Sequence, residues 1–219
     1  MNFVKVQNII KICWKNLSQV KEGIMKTEKL RIKDLVTIGV FTVIYFVVMF
    51  ISGMPGMIPI LFLANPAIAG ITTGIVMMLF MAKIQKPYAV FILGIICALI
   101  VFAMGNTYIV LIHTIIIMVI AELLRKKGEY KSFKYNTISF AVFNTWNCGM
   151  IMQIALAKDR FIEMANARNM RQEFTTGLLN LINYRNILLV YIAAIVGAII
   201  GACIGKLFLE KHFEKAGIV

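Results

Sequence analysis

Leu35-Val36-Thr37-Ile38-Gly39-Val40-Phe41-Thr42-Val43-Ile44-Tyr45-Phe46-Val47-Val48-Met49-Phe50-Ile51-Ser52 is an eighteen-residue run without a charge, entered from Lys33-Asp34 and left through Gly53-Met54-Pro55-Gly56. An α-helix rises ~1.5 Å per residue, so about 20 apolar residues cross a hydrocarbon core ~30 Å thick. This run is therefore predicted to span a membrane. Five more apolar runs begin near Met57, Tyr88, Thr107, Tyr135 and Ile187. With 60% hydrophobic residues in 219, the chain is expected to be an all-α integral membrane protein, a bundle of six transmembrane helices. Six spans occupy most of the length and leave no room for a soluble catalytic domain.

Charge sets the expected orientation. Eighteen of the 23 Lys and Arg residues lie before Asp34, at Lys83 and Lys86, between Arg125 and Lys134, or from Lys206 onward. The other five, Lys158, Arg160, Arg168, Arg171 and Arg185, share one long loop. Positively charged loops stay on the cytoplasmic side during insertion, so both termini are expected on the cytoplasmic side of a cell membrane. The formal net charge of +13 sits in juxtamembrane flanks, where anionic headgroups attract it. Nucleic acid is not needed to explain it.

Residues 29–219 form the expected membrane domain, and residues 1–28 an N-terminal extension. In the extension Ile9, Cys13, Leu17 and Val20 share one helical face and Lys11 and Lys15 another, the pattern of a helix lying on the inner membrane surface. The alternative is a translation start at Met25. Within the second span, Asn65-Pro66 predicts a kink or break, because proline lacks an N–H and crowds the preceding turn. In the long loop, Phe161, Met164, Ala165 and Arg168 recur at helical spacing, as do Thr175, Leu178, Leu179 and Ile182. One or two short helices over the outer mouth are expected.

Absences exclude several chemistries. Between Leu35 and Ala121 the only charges are Lys83 and Lys86, in a loop, and spans five and six hold no acid. Proton-driven carriers generally need an intramembrane carboxylate. Gly201-Ala202-Cys203-Ile204-Gly205-Lys206 falls one residue short of a phosphate loop, has Leu207 where Ser or Thr is required, and lies in an apolar helix. ATP hydrolysis is therefore not expected of this chain, and uphill transport would draw on another subunit. Cys13, Cys97, Cys148 and Cys203 form no CxxC pair, and no HExxH occurs, so neither a metal nor a cofactor is expected.

Polar residues inside spans are costly in lipid and face protein or a cavity. Asn65, Asn106, Tyr108, His113, Asn144, Trp146, Asn147 and Gln153 are the candidates. They predict either a ligand pocket open to the outside, with amides and an indole against a planar or polar molecule, or hydrogen bonds between helices. Met54, Met57 and Met152 are expected at an adaptable apolar mouth. Gly197, Gly201 and Gly205 recur four apart and form a smooth groove for another helix, within the bundle or at a subunit interface. Gly70 and Gly74 repeat the pattern in span two.

From about Lys29 the chain resembles the substrate-binding S components of energy-coupling factor (ECF) vitamin transporters, and within them the Trep_Strep, or MptD, group. The resemblance rests on residues 33–41 (KDLVTIGVF), Pro66-Ala67, residues 128–132 (GEYKS), Phe143-Asn144-Thr145-Trp146 and the tail 211–218 (KHFEKAGI). It implies six helices, an outer pocket capped by loops, a small vitamin-like or cofactor-precursor ligand, and no catalysis by this chain. It further implies a membrane coupling protein and two ATP-binding subunits as partners. Such proteins contact the coupling protein through small residues on span one, often Ala-x-x-x-Ala. Here Gly39, Thr42 and Val43 occupy the nearest equivalent. A Trp expected shortly after the turn between spans three and four is replaced by Asn106-Thr107-Tyr108.

Two other classes compete: a self-sufficient secondary carrier, and an intramembrane enzyme. The missing acids and missing internal repeat weigh against the first. No clustered nucleophile, base or metal set supports the second.

Overall fold

The computed structural model describes residues 29–213, so the expected N-terminal extension and the end of the tail lie outside the described residues. Among these residues the fold is all helical. We label its helices α1 (Ile32–Gly53), α2 (Pro59–Lys83), α3 (Ala89–Ala103), α4 (Tyr108–Lys127), α5 (Phe133–Asn144), α6 (Gly149–Leu156), α7 (Lys158–Ala167), α8 (Gln172–Leu181) and α9 (Tyr184–Phe208). Short 3₁₀ turns, Met54–Met57 and Thr145–Cys148, join α1 to α2 and α5 to α6.

Four helical segments are long and apolar enough to cross a membrane: Ile32–Met57, Pro59–Lys83, Tyr108–Lys127 and Tyr184–Lys211. A fifth candidate, Phe133–Leu156, is bent by 101° from Lys158–Ala167. The remaining apolar helix, α3, has 15 residues, only ~22 Å at helical rise. The expected count of six thus becomes four or five by length alone.

Local chemistry explains where helices begin and end. Asp34 accepts a hydrogen bond from the backbone N–H of Arg31 at 2.8 Å, closing the first turn of α1. Pro59 occupies the first turn of α2, where its missing N–H costs nothing. Of the kink or break expected at Asn65-Pro66, the break does not occur: α2 continues through Pro66 for 25 residues. Proline costs the ladder the bond to the Phe62 carbonyl, while Pro66 itself is buried and its own carbonyl accepts from Asn144 Nδ2 at 2.8 Å. The interruption falls instead between α5 and α6. There Thr145 Oγ1 donates to the Val142 carbonyl (2.7 Å) and Asn147 Nδ2 to the Asn144 carbonyl (3.1 Å), side-chain bonds that compete with the helix ladder.

The closest packing is between α2 and α9. A methyl group on Gly197 would come within 2.9 Å of Ala67 Cα, and one on Gly205 within 2.8 Å of the Gly74 carbonyl oxygen. On Gly201 it would overlap the Gly70 carbonyl. The glycine stripes of spans two and six therefore face each other inside the bundle; this surface is filled, and no partner subunit can use it.

Contacts between distant residues sort the helix ends. Asp34 pairs with Lys86 at 2.8 Å, Glu122 accepts from the backbone N–H of Tyr88 at 2.6 Å, and Lys206 Nζ lies 5.1 Å from the Phe133 ring centre. Arg125, fully buried, donates to the carbonyls of Met81 (3.3 Å) and Ile84 (3.0 Å) and to Asn136 Oδ1 (3.2 Å). These contacts gather the start of α1, the end of α2, the start of α3, the end of α4, the start of α5 and the end of α9 at one basic end. The helices α7 and α8 cap the opposite end, where Arg168 reaches the Met104 carbonyl and Gly177 packs on the Pro59 ring.

Candidate functional site: a capped cavity

Beneath α7 and α8 lies a cavity of about 880 Å³. Its walls come from the last turns of α1 (Phe46, Met49, Phe50), the Met54–Met57 turn, the start of α2 (Phe62, Asn65), the end of α3 (Val101), Trp146 and Asn147 at the helix break, and Met150. The roof is the α7–α8 turn, Arg168-Asn169-Met170-Arg171, with Phe174. The volume lies in the range typical of small-molecule sites, as does the mixture of apolar walls and a few polar groups.

The roof is fixed by packing. Phe161, Ala165 and Leu178 are buried, and Phe174 meets Phe62 edge-on with centroids 6.1 Å apart. At the end of α7, Asn169 adopts a left-handed conformation (φ 51°), which asparagine tolerates better than most residues. Met170 N then bonds back to the Ala165 carbonyl at 2.9 Å, closing the helix and turning the chain across the mouth.

Four of the eight residues expected at a ligand site line this cavity: Asn65, Asn106, Trp146 and Asn147. The amide oxygen of Asn65 is buried and has no hydrogen-bond partner among the described residues. Asn147 is half-buried, with its Nδ2 shared between Asn144 O (3.1 Å) and Asn144 Oδ1 (3.2 Å). Trp146 presents only ring surface, since its Nε1 donates to the Tyr45 hydroxyl at 2.9 Å in the core. Asn106 donates from Nδ2 to the Val101 carbonyl (2.9 Å) and accepts from Gln153 (3.4 Å).

The other four lie off the cavity wall. Asn144 is fully buried between helices and donates to the carbonyls of Pro66 (2.8 Å) and Ala194 (3.0 Å). Gln153 Oε1 accepts from Thr107 N (2.7 Å) and Oγ1 (2.9 Å), holding the start of α4. His113 Nε2 bonds the Tyr191 hydroxyl at 2.7 Å. Tyr108 is exposed at the first turn of α4. Of the methionines expected at the mouth, Met54 and Met57 line the cavity and Met152 does not.

The span-one residues divide. Gly39 has no neighbour within 4 Å of where a side chain would begin, and Val43 is exposed, so both belong to the outer surface of α1. Thr42 faces the core instead, with Oγ1 on the Ile38 carbonyl at 2.8 Å.

The short helices expected over the mouth are α7 and α8, but sequence reasoning did not name their turn or much of the aromatic wall as site residues: Arg168, Asn169, Met170, Arg171, Phe174, Phe46 and Phe62. The helical spacing after Phe161 was the available signal, because it placed a structured segment over this end.

An all-helical fold with several membrane-crossing segments and a cavity at one end defines a polytopic membrane protein. Residues 32–215 match the family described as "hypothetical bacterial integral membrane protein (Trep_Strep)", and the chain belongs to that family. No curated protein and no solved structure matches it.

Proposed function

We propose that this chain is the substrate-capture subunit of an ECF-type importer in the bacterial cell membrane, taking a small organic molecule from outside. The observation that carries this reading is the roofed cavity of about 880 Å³, lined by aromatic and methionine side chains together with the amides Asn65, Asn106 and Asn147. In this reading α3, with its flanking residues, is a short third span and α5–α6 a broken fifth, so six crossings leave both termini in the cytoplasm. The convergence of Lys86, Arg125 and Lys206 at the end opposite the cavity supports that orientation. The chain captures and does not convert its ligand; a membrane coupling protein and two ATP-binding subunits supply the energy.

The test is to tag the protein in a native host, extract it gently and identify what accompanies it. Two ATPases and a coupling protein are expected. A chain that repeatedly emerges alone, while driving ion-dependent uptake in liposomes, would overturn the proposal.

A further inference from the structure

The cavity is electrostatically one-sided. Two arginines, Arg168 and Arg171, stand on its roof, and no Asp or Glu lines it. The acids of the roof helices lie elsewhere: Glu163 pairs with Arg160 at 2.7 Å on the surface, and neither Asp159 nor Glu173 is part of the lining. Arg168 Nη2 donates to the neutral Met104 carbonyl at 2.5 Å, which steers the guanidinium without neutralising it. Arg171 makes no ion pair with a described residue, and it stands at the N-terminus of α8. The turn carrying both is held by the left-handed Asn169 and the buried anchors Phe161 and Leu178.

Two arginines over an apolar, aromatic cavity favour a matching ligand. An arginine offers five N–H donors in a planar fork suited to carboxylate or phosphate oxygens. Deeper in, Phe46, Phe62 and the Trp146 ring suit an apolar or planar body, with the Asn65 amide also in the lining. We infer that, granted solute capture as proposed above, the ligand is an organic anion. Its carboxylate or phosphate lies at the Arg168–Arg171 roof and its planar or apolar body against Phe46, Phe62 and Trp146. The same anionic chemistry occurs in lipid headgroups, so the test separates the two sources.

The sequence has two tryptophans, Trp14 and Trp146. Trp14→Phe leaves Trp146, on the cavity wall, as the sole reporter. The full-length protein in phosphatidylcholine nanodiscs is titrated with three quenchers of one shape: para-nitrobenzoate, para-nitrobenzamide and para-nitrobenzylammonium. Saturable quenching is expected for the benzoate at a concentration roughly 10- to 100-fold below that for the amide, the scale of a hydrogen bond to a charged group. Arg171→Gln should remove most of that preference while thermal stability stays unchanged. Equal binding of benzoate and amide, or an unaltered preference in Arg171→Gln, overturns the anion assignment and leaves solute capture standing. Saturable quenching by none of the three overturns solute capture itself. Repeating the titration with phosphatidylglycerol in the disc should leave the benzoate affinity intact; competitive loss would assign the roof to a lipid headgroup and overturn the soluble anion.

Discussion

Gly201 packs on the backbone of Gly70 so closely that the Gly70 carbonyl oxygen occupies the place of a residue-201 side chain. Without Cβ atoms on either glycine, two apolar helices approach to backbone contact, the kind of packing that replaces the hydrophobic drive in lipid. Gly201→Val should therefore force α9 off α2 at a cost of about 1–3 kcal/mol or more. Gly39→Ala meets open space and should change stability by no more than about 0.5 kcal/mol. Thermal unfolding in mild detergent compares the two; an unchanged midpoint in Gly201→Val would contradict the packing.

Asn144 and Asn65 are both amides near the same helix turn, yet they should respond oppositely. Asn144→Ala removes the donor to Pro66 and Ala194 carbonyls in the bundle interior and should destabilise by about 1–3 kcal/mol. Asn65→Ala removes no internal bond from its amide oxygen and should leave the unfolding midpoint nearly intact while weakening ligand retention. Paired unfolding and binding measurements decide it. Equal destabilisation by both variants would mean that Asn65 is structural.

That contrast also marks what was legible in the sequence. Runs beginning at Leu35, Met57, Tyr88, Thr107, Tyr135 and Ile187 lie within three residues of helices starting at Ile32, Pro59, Ala89, Tyr108, Phe133 and Tyr184, because hydropathy is a local property. Which way a polar side chain points is not local. Asn144 and Asn65 have the same chemistry and similar depth, and only the placement of α2 against α9 separates a clamp from a cavity amide. Arg168 reaches a carbonyl 64 residues away in sequence, a closure that no spacing encodes. Whether a proline breaks its helix is not local either: the cost depends on what packs around the turn, and here the broken helix lies at Thr145–Cys148.

At the basic end, Arg125 ties three segments together through Met81, Ile84 and Asn136, with its guanidinium 5.4 Å from the Tyr130 ring centre. Burial pushes the Tyr130 phenol up to about 12, so it remains a neutral wall for that cation. Arg125→Ala leaves the Met81 and Ile84 carbonyls and Asn136 Oδ1 without their buried donor and should cost about 1–3 kcal/mol or more. Arg125→Lys should rescue only part of this, because an ammonium lacks the planar fork. Expression level and unfolding midpoint of the three proteins are the readouts. Full rescue by lysine would show that charge alone matters.

Trp146 and Tyr45 form a second buried pair, with indole N–H to phenol oxygen at 2.9 Å. Tyr45→Phe keeps the ring and deletes the acceptor, leaving an unpartnered indole donor. The expected loss is about 1–3 kcal/mol, together with a blue shift of Trp146 emission in a Trp14→Phe background. An unshifted spectrum would mean the bond is absent. Trp146→Ala is a poor probe of binding for the same reason, since it empties the core as well as the cavity wall.

Orientation decides whether the cavity meets the outside, and it can be read from labelling. Cys97 and Cys148 are buried, so Cys13→Ser with Cys203→Ser provides a quiet background. Asn169→Cys places a thiol on the exposed roof, and Lys127→Cys places one at the basic end of α4. A membrane-impermeant maleimide added to intact cells should label residue 169 at once and residue 127 only after permeabilisation. The pairing of Asp34 with Lys86, and of Arg125 with the end of α2, keeps the basic segments on one side, so the two sites must report opposite faces. The reverse pattern would turn the roofed cavity toward the cytoplasm. It would exclude capture from outside even if the cavity bound its ligand tightly.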